Sequence, residues 1–197
     1  MIQPIQLKCP YCGAAVTTET KICEYCANPI VLQDIKQIQS FTPVQINKYV
    51  SSYKETLTEN PKDKLVNGSI ALCFLQLKLY DKAIEHFELA IEDNFENPDT
   101  YYYLCIAKLK GQKAFTTPRP EIDKILEYIH AAQQIEQKPI YFYFEAYIKY
   151  DFFKRKFLNV PPKYEDLLAT AKSTGLAQED ADTMFAMLGV EKPAQLQ

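Results

Sequence analysis

Tryptophan is absent from this chain, histidine occurs twice and glycine five times among its 197 residues. Five scattered glycines leave no Gly-rich loop able to cradle a phosphate. His86 and His130 stand alone, without an H-E-x-x-H pattern and without a serine or carboxylate–cysteine arrangement beside them, so no catalytic pair is legible and we expect no enzyme. Charge of one sign is also lacking: the net charge is -3 and the pI about 5.5. With no overall positive field, a dedicated binder of nucleic acid or of an anionic membrane is not expected, although a local patch remains compatible with this balance. Long apolar runs are missing too. The most apolar stretch, Ile140 to Phe153, is too short for a bilayer and contains Glu145, Lys149 and Asp151. The first thirty residues hold no basic stretch followed by an apolar run and a small-residue cleavage site. The resulting expectation is a cytoplasmic protein with no membrane partner.

What is present is an ordinary folding composition, 47% hydrophobic and 24% charged, with 14 Tyr and 11 Phe that concentrate between Tyr101 and Phe157. Four of the six cysteines form two C-x-x-C pairs, Cys9-Pro10-Tyr11-Cys12 and Cys23-Glu24-Tyr25-Cys26, ten residues apart. Each pair lets two thiolates converge on one ion from a tight turn, and four thiolates make the closed tetrahedral shell of structural zinc, with no position left for a reactive water. A disulfide or free-thiol segment is the alternative, and a poor one without an export signal. A zinc-thiolate redox switch is a further reading. Gly13 follows the first pair and suits a positive φ; Ala27 stands at the matching place and would cost about 1 kcal/mol there, with Asn28 placed to relieve it. Cys73 and Cys105 lie among apolar helix positions and read as buried small hydrophobes.

Three regions follow from the pattern: a small module over 1–30, a Gln-rich linker with some helix over 31–41, and an all-helical remainder over 42–197. In the linker Leu32, Ile35 and Ile38 recur at three-residue spacing. Thr42-Pro43 reads as N-cap and first residue of a helix that ends at Asn60-Pro61. Further helices are expected from about Asp63 to Leu79, from Asp81, from Asn97-Pro98 to near Gly111, from Glu121 to Lys138, from Pro139 to near Lys156, from Glu165 to Thr174, and from Gln178 to Leu188 before Gly189 as a cap. The stretch Gln112–Pro120 and Val160-Pro161-Pro162 read as long turns. Lys154-Arg155-Lys156 is the only dense basic run, either a contact for an acidic partner or a solvated helix end facing the negative end of the helix dipole.

The segment from Lys8 to Ile30 resembles short zinc ribbons of the C-P-x-C-G type, which implies one structural Zn2+ held by Cys9, Cys12, Cys23 and Cys26. From Lys64 to Pro98, Ile70-Ala71, Phe74, Tyr80, Ala83, Phe87, Ala90 and the closing proline resemble one tetratricopeptide repeat, and Asp99–Pro139 and Ile140–Gly175 resemble divergent ones. The resemblance implies a mainly α fold, a right-handed array of helical hairpins behind a small zinc ribbon. It also implies a concave groove lined by the first helix of each repeat. Tyr102, Lys108, Tyr143, Tyr147 and Tyr150 are the candidate groove residues, and a non-catalytic adaptor holding a protein or peptide partner is the expected function. A nucleic-acid-associated ribbon factor is the alternative; Lys8 and Lys21 against Glu19 and Glu24 leave the ribbon formally neutral, so nucleic acid is the less expected partner.

Overall fold

A computed structural model describes residues 5–92 and 96–197, so the first four residues of the expected 1–30 module lie outside the described residues. The chain is mainly α, with eight α-helices and one two-stranded sheet among the described residues. It divides into two compact units, Met1–Asn94 and Phe95–Gln197, and the division falls within the stretch expected as one helical array. Among the described residues no helix is long and apolar enough to cross a membrane.

In the first unit β1 (Gln6–Lys8) pairs antiparallel with β2 (Ala15–Thr17), Leu7 opposite Val16, and a single bridge joins Ile22 to Pro29. The regularly spaced apolar positions of the expected linker are buried. Leu32, Ile35 and Ile38 are buried with Ile30, and Ile35–Gln37 forms a 3-10 turn capped reciprocally by Asp34 and Gln37. A buried backbone needs partners. Ser69 supplies them, its Oγ accepting from the Leu32 N–H at 2.9 Å and lying 3.0 Å from the Leu32 carbonyl oxygen. Three apolar side chains at helical spacing thus make a wedge, and the glutamines between them face outward.

Helix α1 (Pro43–Glu59) starts at Thr42, whose hydroxyl accepts from the Gln45 N–H while the Gln45 side chain accepts from the Thr42 N–H. It stops at Asn60 before Pro61. Helix α2 (Lys64–Gln76), capped by Asp63, is buried over most of its circumference and packs between α1 and α3 (Tyr80–Ile91). Its Asn67 is fully buried and donates to the carbonyls of Pro61 and Asp63. Since both amide hydrogens are spent, Asn67 Oδ1 must accept the 2.8 Å bond from His86 Nδ1 on α3, which fixes the tautomer of that ring. The histidine that has no visible partner in the sequence therefore has one in the fold.

In the second unit α4 (Pro98–Lys108), α5 (Arg119–Ile135), α6 (Pro139–Ile148) and α7 (Tyr164–Ser173) pack in succession, and α8 (Gln178–Leu188) rests on α6 and α4. Proline at the first turn opens α4, α5 and α6. The helical run of α6 continues through a π-turn, Lys149–Phe153, and a 3-10 turn, Lys154–Lys156, to Phe157. The loop before α5 holds a 3-10 turn, Ala114–Thr116, whose orphan donors are met from α6 and the π-turn: the Ala114 N–H donates to Tyr147 Oη at 3.2 Å and the Phe115 N–H to Asp151 Oδ2 at 2.8 Å. His130 also finds a partner here, Nε2 lying 3.0 Å from Oε1 of the buried Glu145, which accepts from Gln133 as well. Burial pushes the Glu145 carboxyl up, but these bonds and the nearby His130 and Lys149 bring it below its ordinary value.

Candidate functional site

The two C-x-x-C pairs fold as near-identical turns. In the first, the Gly13 N–H donates to the Cys9 carbonyl (2.9 Å) and the Cys9 N–H to the Ala14 carbonyl (2.7 Å); in the second, Ala27 donates to Cys23 (2.8 Å) and Cys23 to Asn28 (2.9 Å). Both turns need a left-handed residue, Gly13 at φ 78° and Ala27 at φ 56°. Ala27 accepts a strain of about 1 kcal/mol, and Asn28 steadies the turn by donating from Nδ2 to the Cys26 carbonyl at 2.9 Å.

These turns bring the four sulfurs within 4.8 Å of one another, with Cys9 to Cys26 at 3.6 Å and Cys12 to Cys23 at 3.7 Å. A disulfide would require about 2.0 Å, and all four cysteines are free thiols. For ligand bonds of about 2.3 Å a tetrahedral thiolate shell has edges of about 3.8 Å. The cluster fits that shell and can hold a metal ion. Burial pushes the Cys9 thiol up to about 12. At Cys26 burial acts the same way, but hydrogen bonds from Asn28, joined by those from Cys12 and Cys9, outweigh it and bring that thiol down to about 7. A bound metal would hold all four as thiolates.

The cluster is fastened to α1. Tyr49 Oη donates to the Pro29 carbonyl at 2.8 Å and Tyr53 Oη to the Ile30 carbonyl at 2.7 Å, while Ser52 Oγ donates to the Lys8 carbonyl at 2.9 Å. Lys8 and Glu55 add an exposed ion pair at 2.6 Å, of small worth in solvent. Tyr53 lies on the buried face of α1, and no pattern within the helix reveals this seam, because the carbonyls it satisfies are some twenty residues away.

The expected groove residues behave differently. Tyr143 and Tyr147 are 1% exposed and pack edge-on against Phe185 of α8, with centroids at 6.2 Å and 5.4 Å. Tyr143 Oη donates to the Leu196 carbonyl at 2.7 Å, so α8 and the segment after it cover the face that was expected to be open. Tyr102 is buried against Tyr103, Tyr141 and Phe144. The Lys108 side chain is 8% exposed, its ammonium 3.9 Å from Glu121 and over the Tyr128 ring. These four are corrected from groove lining to packing: α4 and α6 are buried on nearly every face, so their side chains meet the rest of the second unit and not an open groove. Tyr150 is half-buried, its ring edge-on to Tyr164 at 5.1 Å. Together with one edge of Tyr147 it lines a cleft of about 310 Å³ whose rim carries Lys113, Arg155, Lys192 and Glu191. The cations come from three separate segments, which is why no sequence window revealed them.

Cys73 and Cys105 are fully buried, and burial raises both thiols well above their ordinary value. Within the basic run, Arg155 pairs with Asp151 and lies over the Phe115 ring, whereas Lys154 is exposed. No family model, no curated protein and no solved structure matches the chain.

Proposed function

We propose that this chain is a non-catalytic interaction adaptor, whose second unit binds an acidic segment of a partner protein and whose first unit is held together by one structural zinc on Cys9, Cys12, Cys23 and Cys26. The observation that carries the binding half is the cleft beside Tyr150, where Lys113, Arg155 and Lys192 surround one half-exposed phenol ring with a single rim carboxylate, Glu191, in addition to the Asp151 already engaged by Arg155 and Phe115. Phenol rings give large contact at low entropic cost, and cations on a rim steer an acidic partner. The four-thiol shell supports zinc, since an all-sulfur tetrahedron of this size suits that ion and closes it to chemistry. The pairing of successive helices in each unit is compatible with the tetratricopeptide-like array of hairpins in this reading.

The test replaces Tyr150 with a photoreactive phenylalanine and titrates the full chain with an acidic peptide library. Crosslinking at that position, abolished by Lys113→Glu with Lys192→Glu, is the expected result. Peptides that bind the charge-reversed chain equally well would remove the cleft from the account. A redox-switch version has one observation in its favour, the exposure of Cys12, which leaves a thiolate within reach of an oxidant. It predicts zinc release on mild peroxide treatment with recovery on reduction; retained zinc under peroxide would eliminate it.

A further inference from the structure

At the end of the basic run the chain turns outward. Phe157 adopts a left-handed conformation, φ 59°, and every residue from Phe157 to Lys163 is exposed. Phe157 is 97% exposed, Leu158 41% and Val160 38%, so three of four consecutive residues present large apolar side chains to solvent. Scattered single hydrophobes on a surface are ordinary; a cluster that includes a fully extruded phenylalanine is not. Beside this tip a hollow of about 120 Å³ is lined by Lys149, Lys154 and Lys163, with Glu165 as its one carboxylate and Leu158 and Val160 on the apolar side. Lys149 is nearly buried and donates to the Pro161 carbonyl at 3.0 Å, which props the turn from beneath. Lys156 lies over the Phe152 ring, and Arg155 remains half-exposed beside Asp151.

We propose that this tip is a peripheral docking site for an anionic lipid bilayer, with Phe157, Leu158 and Val160 entering the boundary of the acyl chains and Lys154 and Lys163 meeting lipid phosphates. Phe157 is almost wholly free of protein contact, with Leu158 and Val160 part-exposed beside it, and an acyl-chain boundary yields around such side chains without a shaped pocket. The charges around the projection are predominantly of one sign, opposite to that of the lipid, and a hollow lined by lysines opens where a headgroup phosphate would lie. The whole chain carries a net charge of -3, so attraction is local and fades within a Debye length. Burying one phenylalanine multiplies an affinity by about 10-fold to 100-fold and each lysine near an anionic surface by about 5-fold. Such a tip gives weak, reversible attachment. This site is separate from the Tyr147–Tyr150 cleft in the hollow it uses, and neither reading depends on the other.

Because the chain contains no tryptophan, Phe157→Trp places a single fluorophore at the tip. The full-length variant is titrated with vesicles of phosphatidylcholine alone and of phosphatidylcholine mixed with phosphatidylglycerol, at low and at high salt. The expected result is a blue shift on the mixed vesicles only, reversed by salt. In parallel, sedimentation of the unlabelled chain with mixed vesicles falls about 10-fold or more in Phe157→Asn and about 25-fold or more in Lys154→Glu with Lys163→Glu. Asparagine tolerates the left-handed backbone, so the first of these keeps the turn. No shift on mixed vesicles, equal binding to neutral vesicles, or sedimentation that survives both sets of substitutions overturns the proposal. Saturable binding of a synthetic acidic amphipathic peptide at the tryptophan, with vesicles inert, also overturns it and assigns the tip to a protein partner.

Discussion

Replacing Tyr53 by phenylalanine removes one oxygen and nothing else, and the structure states what that oxygen does. It is fully buried and donates at 2.7 Å to the carbonyl of Ile30, the residue at which the four-cysteine segment passes into the buried wedge of Leu32, Ile35 and Ile38. Removing a donor from a buried acceptor costs about 1–3 kcal/mol, because the carbonyl stays dry and unpaired. For a domain of the size of the first unit, each kcal/mol shifts the melting temperature by about 4–8 °C. We therefore expect Tyr53→Phe to lower the far-UV circular dichroism transition of the first unit by several degrees. The same free energy enters metal binding wherever the thiol shell and α1 form together, so the proposed zinc should be held at least about 5-fold more weakly. Tyr49→Phe, acting on Pro29 at 2.8 Å, is expected to repeat the effect on a smaller scale, since its hydroxyl lies in a less enclosed part of the seam. Competition with a chromogenic chelator reads the second quantity. A Tyr53→Phe chain that melts and holds metal like the parent would refute the claim that the sulfur shell is seated on α1 through its backbone carbonyls.

Other consequences follow from single positions. Ala27→Gly relieves the left-handed strain at φ 56°, offset in part by glycine's greater freedom when unfolded, and should strengthen metal retention by up to about 5-fold in the same chelator competition. His86 is held below its ordinary pKa by burial, which outweighs the upward pull of Glu85 and is aided slightly by Lys54. The unfolded chain therefore takes up that proton first as pH falls, so stability declines below about pH 6.5 and the decline ends once the folded ring is protonated too. His86→Gln should flatten this part of the profile of melting temperature against pH relative to the parent; an unchanged slope would show that the ring carries no such linkage.

The sequence announced its helices through punctuation. Thr42-Pro43, Asn60-Pro61, Asn97-Pro98 and Lys138-Pro139 mark ends that the fold keeps within a residue or two, because proline cannot continue a helix and suits its first turn. The sulfur cluster was equally legible, down to the positive φ of Ala27, since two close C-x-x-C pairs determine their own turns. What stayed hidden depends on distance along the chain. Glutamines at positions 33, 37 and 39 masked a buried wedge in which the Leu32 backbone is met by Ser69, 37 residues away. Tyrosine spacing on α6 suggested a groove, yet that face is taken by Phe185 and by the backbone at Leu196, which no pattern within α6 could reveal. The basic run likewise read as one feature, while the fold divides it: Arg155 turns to Asp151 and Lys154 to the hollow beside Phe157.

The measurement that bears most directly on this account is elemental analysis of the full chain purified under reducing conditions without chelator, beside Cys9→Ser and Cys23→Ser, with the helical melting curve recorded for each. The account predicts one zinc per chain in the parent, loss of it in both variants, and a lower melting temperature of the first unit in step with that loss, because the sulfur shell, the wedge and α1 share one core. A parent chain that carries no metal, or variants that lose zinc while every helical transition stays where it was, would contradict it.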